Sequence, residues 1–188
     1  MLFGFLCSKE MAMTAQEIVA DLKDLGNPYF KEQQMRFGIN CDSGLGIKIP
    51  VLRTYAKELK KNHALALELW DTGIHEARLL AIFIGDPKQV TEAMMEKWVK
   101  DFASWDVCDQ ACGNLFDKTP FAYQKVVEWS KRKNEFEKRA GFAMMATLAV
   151  HDKKADDKKF LDLLPLIERE AHDDRNFVKK AVNWALRQ

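Results

Sequence analysis

The chain has 188 residues, 47% of them hydrophobic and 30% charged, with a formal net charge of +1. That is the profile of an ordinary soluble globular protein of one domain or a short repeat array, long enough to bury a sizeable core. The net charge alone points to no partner, but the charge is uneven. Residues 1–117 carry 13 Lys and Arg against 17 Asp and Glu, a net −4, whereas residues 118–188 carry 16 against 11, a net +5. The C-terminal part is therefore the better candidate to face a polyanion.

Leu2-Phe3-Gly4-Phe5-Leu6 is apolar, but it is too short to span a membrane and lacks the basic flank of a signal peptide. Residues 1–12 are read as an N-terminal extension that need not be ordered, and residues 13–188 as a single domain. Thr14-Ala15-Gln16-Glu17 reads as a capping box ahead of Ile18, Val19 and Leu22. Gly26 ends that helix, and Pro28 opens a short one running to about Phe37. Residues 38–47 form the longest break, punctuated by Gly38, Gly44 and Gly46. They match neither the dinucleotide fingerprint nor the P-loop, so a phosphate cradle there is poorly supported.

Helices are expected at about 50–61, 64–71, 74–84, 91–102, 105–116, 120–132, 135–150, 156–171 and 174–188. Gly73 and Gly85 are breaks, Ser104 is an N-cap candidate, and Thr119-Pro120 gives an N-cap followed by Pro at the first helical position. Pro165 should kink or split its helix. No segment alternates as a strand would, so the expected fold class is all-α.

Several helices resemble one another. Glu76 to Ala81, Lys138 to Ala143 and Lys179 to Ala185 each place charge before a small and apolar run. Their spacings are irregular, with 63 residues from Ala77 to Ala140 and 41 from Ala140 to Ala181. That is the pattern of degenerate two-helix repeats of HEAT type, which stack into an α-solenoid with a concave face. Trp105, Asp109, Arg139 and Trp184 all fall on the second helices, which normally line that face.

Trp105 and Asp109 are four apart, so a helix sets an indole and a carboxylate on one face, one turn apart. A ring face beside a carboxylate suits a cationic or cation-developing ligand. The plainer alternative is a core Trp with a solvated Asp. Cys7, Cys41, Cys108 and Cys112 fit a reducing cytoplasm, and neither they nor His63, His75, His151 and His172 show metal-ligand spacing. No metal and no cofactor are expected. Trp70, Trp98 and Trp129 are assigned to the core, and Glu76 and Arg78 to structural pairing within the stack. Arg139 could pair on the surface with Glu135, and Trp184 alone would more often be core than ligand.

With these residues in hand, the chain resembles the AlkD family of DNA alkylation repair glycosylases from about Ile18 to its end. The resemblance rests on Ile74-His75-Glu76-Ala77-Arg78, Ser104-Trp105-Asp106 through Asp109, Lys138-Arg139-Ala140, and Lys179 through Arg187. It implies a HEAT-like solenoid whose concave cleft grips duplex DNA. It also implies release of cationic alkylated purines of the 3-methyladenine and 7-methylguanine type, in base excision repair and without a flipped-base pocket. On that reading the leaving base is already activated and needs no general acid, unlike the two-carboxylate glycosidases. Asp109 would stabilise the oxocarbenium-like sugar and position water, while Trp105 and Trp184 would bracket the deoxyribose. Arg139, Arg187, Lys179 and Lys180 would hold phosphates.

The family pattern continues for one or two helices beyond the segment matching Trp184 to Arg187, and this chain ends at Gln188. A short C-terminus, an uncapped last helix and weakened DNA affinity are therefore expected. The expected protein is a cytoplasmic monomer that binds duplex DNA and no membrane. The rivals are a non-catalytic relative that binds branched or bent DNA, and a protein-interaction solenoid.

Overall fold

The computed structural model describes residues 13–39 and 42–188. The expected extension, residues 1–12, lies outside the described residues, as does Cys41. Among the described residues there are twelve α-helices, one 3-10 turn and no strand. The helices are α1 (Ala15–Leu25), α2 (Pro28–Arg36), α3 (Ile49–Leu59), α4 (His63–Asp71), α5 (His75–Ile84), α6 (Glu92–Lys100), α7 (Trp105–Asn114), α8 (Ala122–Trp129), α9 (Glu135–His151), α10 (Asp157–Leu161), α11 (Leu164–Glu170) and α12 (Asn176–Arg187). No helix among them is long and apolar enough to cross a membrane.

Local chemistry sets the starts. Thr14 and Glu17 form the expected capping box, and the side chains of Asn27, Asn62, Thr91, Asn134 and Asp156 accept first-turn amides of α2, α4, α6, α9 and α10. The segment expected as one helix over 156–171 is two, because Pro165 lies in the first turn of α11. A proline is tolerated there and breaks the ladder anywhere later.

Helices pair and stack as HEAT-like repeats. α4 packs on α5, α8 on α9 and α11 on α12, while α3, α5, α7, α9 and α12 pack on one another in succession. α9 is the longest of the set, with ten buried residues including Arg139, and it touches α7, α8 and α12. The core carries the expected tryptophans. Trp70 and Trp98 stack at 3.8 Å and 3°, and Phe116 links Trp98 to Trp129. Their polar edges are satisfied, with Trp70 Nε1 on Asp101 Oδ2 at 2.8 Å and Trp129 Nε1 on Glu96 Oε1 at 2.9 Å.

Glu76 is fully buried. Its carboxylate accepts the backbone N–H groups of Leu45 and Gly46 at 2.8 Å and of Ile47 at 3.2 Å. The glycine-rich loop thus turns its amides inward onto this carboxylate. Gly46 has φ +80, and a Cβ there would meet Asn27 O at 2.2 Å, so no other residue fits. Arg78 pairs with Asp101, the Nη1 N–H also reaching the Asp101 carbonyl at 3.0 Å. Glu76 is therefore a loop anchor rather than a partner within its own repeat.

Candidate nucleic-acid interface

The start of α7 is pinned from beneath. Ser104 occupies the N-cap position, but its hydroxyl donates to Asp106 Oδ1 at 2.7 Å instead of capping the helix. Asp106 Oδ2 lies 2.8 Å from His75 Nε2, and all three residues are buried. Burial pushes the Asp106 carboxyl up, but His75 and Ser104 together bring it below its ordinary value. This contact ties α7 to α5 and fixes the direction in which Trp105 and Asp109 leave the helix.

Asp109 meets Arg139 across α7 and α9. Arg139 Nε donates to Asp109 Oδ1 at 2.9 Å and Nη2 to Oδ2 at 2.7 Å, a two-pronged ion pair. Its Nη1 donates to the Phe177 carbonyl at 2.6 Å, at the start of α12. The Arg139 side chain is only 7% exposed and that of Asp109 17%. Burial raises the Asp109 carboxyl, with Arg139 opposing the rise and the nearby Asp106 charge adding to it. For Arg139 burial acts to lower the guanidinium, yet Asp109 carries it above its usual value. Arg139 is thus neither the surface partner of Glu135 nor a solvent-facing clamp; it spends three N–H groups inside the protein. Glu135 instead accepts the Phe177 amide at 3.2 Å.

Trp105 is half-buried and its indole N–H donates to the Phe37 carbonyl at 3.0 Å. The turn after α2 therefore lies against Trp105. Its next residue, Gly38, has φ +78, and a Cβ there would be 2.8 Å from Phe177 Cζ. Phe37–Gly38 thus spans from Trp105 to Phe177, the two aromatics that flank the Asp109–Arg139 pair. Phe177 also packs on Phe136 at 5.5 Å. Neither Phe37 nor Phe177 was singled out from sequence, because both contacts join segments remote along the chain.

Trp184 is half-buried against the core. It shares the helix face of Phe177 but lies seven residues on, about 10 Å along the axis. Direct contact joins Asp109 to Arg139, and a single helical turn joins Asp109 to Trp105. Lys179, Lys180 and Arg187 are exposed on α12. Cys108 and Cys112 are free and buried, with Sγ atoms directed at the Phe136 and Ala140 carbonyls of α9. They pack α7 on α9 at the register that brings Asp109 to Arg139.

What results is a carboxylate fixed by a guanidinium, with a small open edge one helical turn from an indole, on a stack of helices. The family model described as DNA alkylation repair enzyme matches residues 18–188. The chain belongs to that family. A solved structure described as a new family of proteins related to the HEAT-like repeat DNA glycosylases with affinity for branched DNA structures is similar to it. The two share 23% identity and a TM-score of 0.82 over 93% of this chain and 74% of that one. No curated protein matches. At that identity the likeness establishes the HEAT-like fold.

Proposed function

We propose that the protein is a monofunctional DNA glycosylase that releases cationic alkylated purines of the 3-methyladenine and 7-methylguanine type from duplex DNA, as a cytoplasmic monomer in base excision repair. The observation that carries this reading is the Asp109 carboxylate, held by Arg139 one helical turn from Trp105. An alkylated purine leaves as a neutral base, so the barrier lies in the cationic sugar left behind. A carboxylate whose direction is fixed before reaction stabilises that charge at no reorganisation cost. The Trp105 ring offers its electron-rich face to the same cation, and Trp184 takes the far side of the sugar. Asp109 also accepts a hydrogen bond from the water that attacks.

Arg139 is a positioning residue on this reading, since its hydrogen bonds already go to Asp109 and Phe177. Phosphate contacts fall to Lys179, Lys180 and Arg187, which are exposed on α12. Incubation with methylated duplex DNA and assay of the released base tests the proposal.

A second reading is favoured by one observation. The Phe37 carbonyl occupies the Trp105 indole N–H and Gly38 lies against Phe177, so the Phe37–Gly38 turn bridges the two aromatics beside the Asp109–Arg139 pair. A carboxylate so enclosed, with its side chain 17% exposed, suits a relative that binds DNA without releasing a base, and affinity for branched DNA is how the similar solved protein is described. Binding to a branched junction together with no released base selects this reading.

A further inference from the structure

Apart from α12, positive charge also gathers around a concavity that lies mostly in the part of the chain that sums to negative charge. A cleft of about 590 Å³ is lined by Arg53, Ala56, Lys57, Lys60, Lys61, Phe83, Asn114 and Lys118. Five of these eight are cations and none is a carboxylate. It opens where α3, α5 and α7 end and the 3-10 turn Phe116–Lys118 begins.

Three of the cations, Arg53, Lys61 and Lys118, are held in place. Arg53 Nη2 donates to Gln110 Oε1 at 2.9 Å and to Asn114 Oδ1 at 3.2 Å, and its guanidinium lies 4.6 Å from the centre of the Phe83 ring. Lys61 Nζ donates to the Phe83 and Gly85 carbonyls at 3.0 and 2.7 Å. Lys118 Nζ donates to the Asn114 carbonyl at 2.7 Å. Helix C-termini thus fix the ammonium groups at the rim. Lys60 sits at φ +59, a backbone state that ordinary side chains avoid. Burial and then the Lys118 charge hold the Lys61 ammonium below its usual value, a crowding that a bound anion relieves.

The nearest carboxylates are already engaged. Asp86 accepts from Gln89 and from the Lys88 amide. Asp117 has no exposed side-chain surface, faces His151 through one oxygen and lies 3.9 Å from the Lys118 ammonium through the other, so it offsets part of that one charge. Gln110, which holds Arg53, follows Asp109 on α7 about 100° around the helix, so the cleft and the Asp109–Arg139 pair occupy neighbouring faces of that helix.

The geometry points to a second phosphodiester-backbone site in this cleft, gripping the DNA strand or arm that leaves the Asp109 site toward α3. The occupant is a backbone rather than a nucleotide. The charge is spread over α3, the two residues that follow it and the 3-10 turn instead of focused on one point, and the Phe83 ring is covered by Arg53, leaving no platform for a base. This inference rests on the DNA reading above and adds where a second run of phosphates lies.

The test is DNA affinity as a function of salt, on an unmodified duplex. Each phosphate contact contributes about 0.9 to the slope of log affinity against log salt. Lys57→Gln/Lys60→Gln/Lys118→Gln should lower the slope by about 2 to 3 relative to wild type. The matching triple Lys→Arg variant should retain it. Should the triple Gln variant melt early, Lys57→Gln/Lys60→Gln, both at exposed positions, should lose about 2 in the same measurement. A wild-type slope that the Gln variants keep overturns this site while leaving DNA binding intact. A wild-type affinity that ignores salt overturns the DNA reading and this site with it. Inorganic phosphate is compared with chloride at equal ionic strength. Equal competition supports a backbone site; selective competition by phosphate at millimolar concentration identifies a phosphate-ion site and overturns the proposal.

Discussion

Arg139 grips Asp109 through both carboxylate oxygens and spends a third N–H on the Phe177 carbonyl, so one guanidinium joins α7, α9 and α12. The catalytic candidate and the packing of three repeats therefore share one side chain. Removing the cation leaves a buried carboxylate and a carbonyl without their donors.

Arg139→Ala should lower stability by about 3–5 kcal/mol, the scale for breaking a buried pair on one side. Arg139→Lys keeps the charge but cannot make the two-pronged contact, and should fall between. Denaturant unfolding measures both. An Arg139→Ala midpoint equal to wild type would show that the pair does not hold the stack.

Glu76→Ala should free the loop before α3. Three backbone amides lose their acceptor, and each buried donor left unpaired costs about 1–3 kcal/mol. The total expected is on the order of 3 kcal/mol or more. Hydrogen exchange at the Leu45, Gly46 and Ile47 amides should rise sharply. Unchanged protection there would mean that the loop is held by other contacts.

Two carboxylates give opposite pH signatures. Burial raises Glu96, but hydrogen bonds from Arg132, Lys125 and Trp129 bring it down to about 2. Its contribution is present above the ordinary carboxylate value and is lost as pH falls toward about 2. Asp109 is raised in the folded state by burial. The native state therefore binds its proton more tightly, and that contribution is lost as pH rises through the raised value. Glu96→Gln should flatten the acid limb of the stability curve, and an unchanged acid limb would contradict the assignment. On the proposed reading base release needs ionised Asp109, so it should increase with pH across the window in which Asp109 titrates.

Much of the fold was readable because helical periodicity and caps are local. The capping box at Thr14, the break at Pro165 and the burial of Trp70, Trp98 and Trp129 follow from neighbours within a turn or two. So does the shared face of Trp105 and Asp109. The pairing of Asp109 with Arg139 spans 30 residues, and that of Trp105 with Phe37 spans 68. Both depend on inter-helix register, which packing sets and spacing does not reveal. Glu76 looked like an ordinary helical charge because the loop it anchors lies 29 to 31 residues earlier. The basic cleft was hidden by summation, since its five cations sit mostly in the part of the chain whose net charge is negative.

Trp105→Phe removes the N–H that holds the Phe37 carbonyl while keeping an aromatic face. It should loosen the turn, seen as faster exchange at the Gly38 amide, and retain part of the base release. Complete loss of release would mean that the indole N–H itself, not the ring face, is what the reaction needs.

The central claim is tested most directly by single-turnover release of base from methylated duplex DNA, comparing wild type with Asp109→Asn at saturating protein. Wild type should release the alkylated purine. The variant should be slower by roughly 10²-fold or more, the scale for removing one well-placed electrostatic stabiliser, while binding the duplex at least as tightly. Equal rates for the two proteins, or no release by wild type despite firm DNA binding, would contradict the assignment of Asp109 as the catalytic carboxylate.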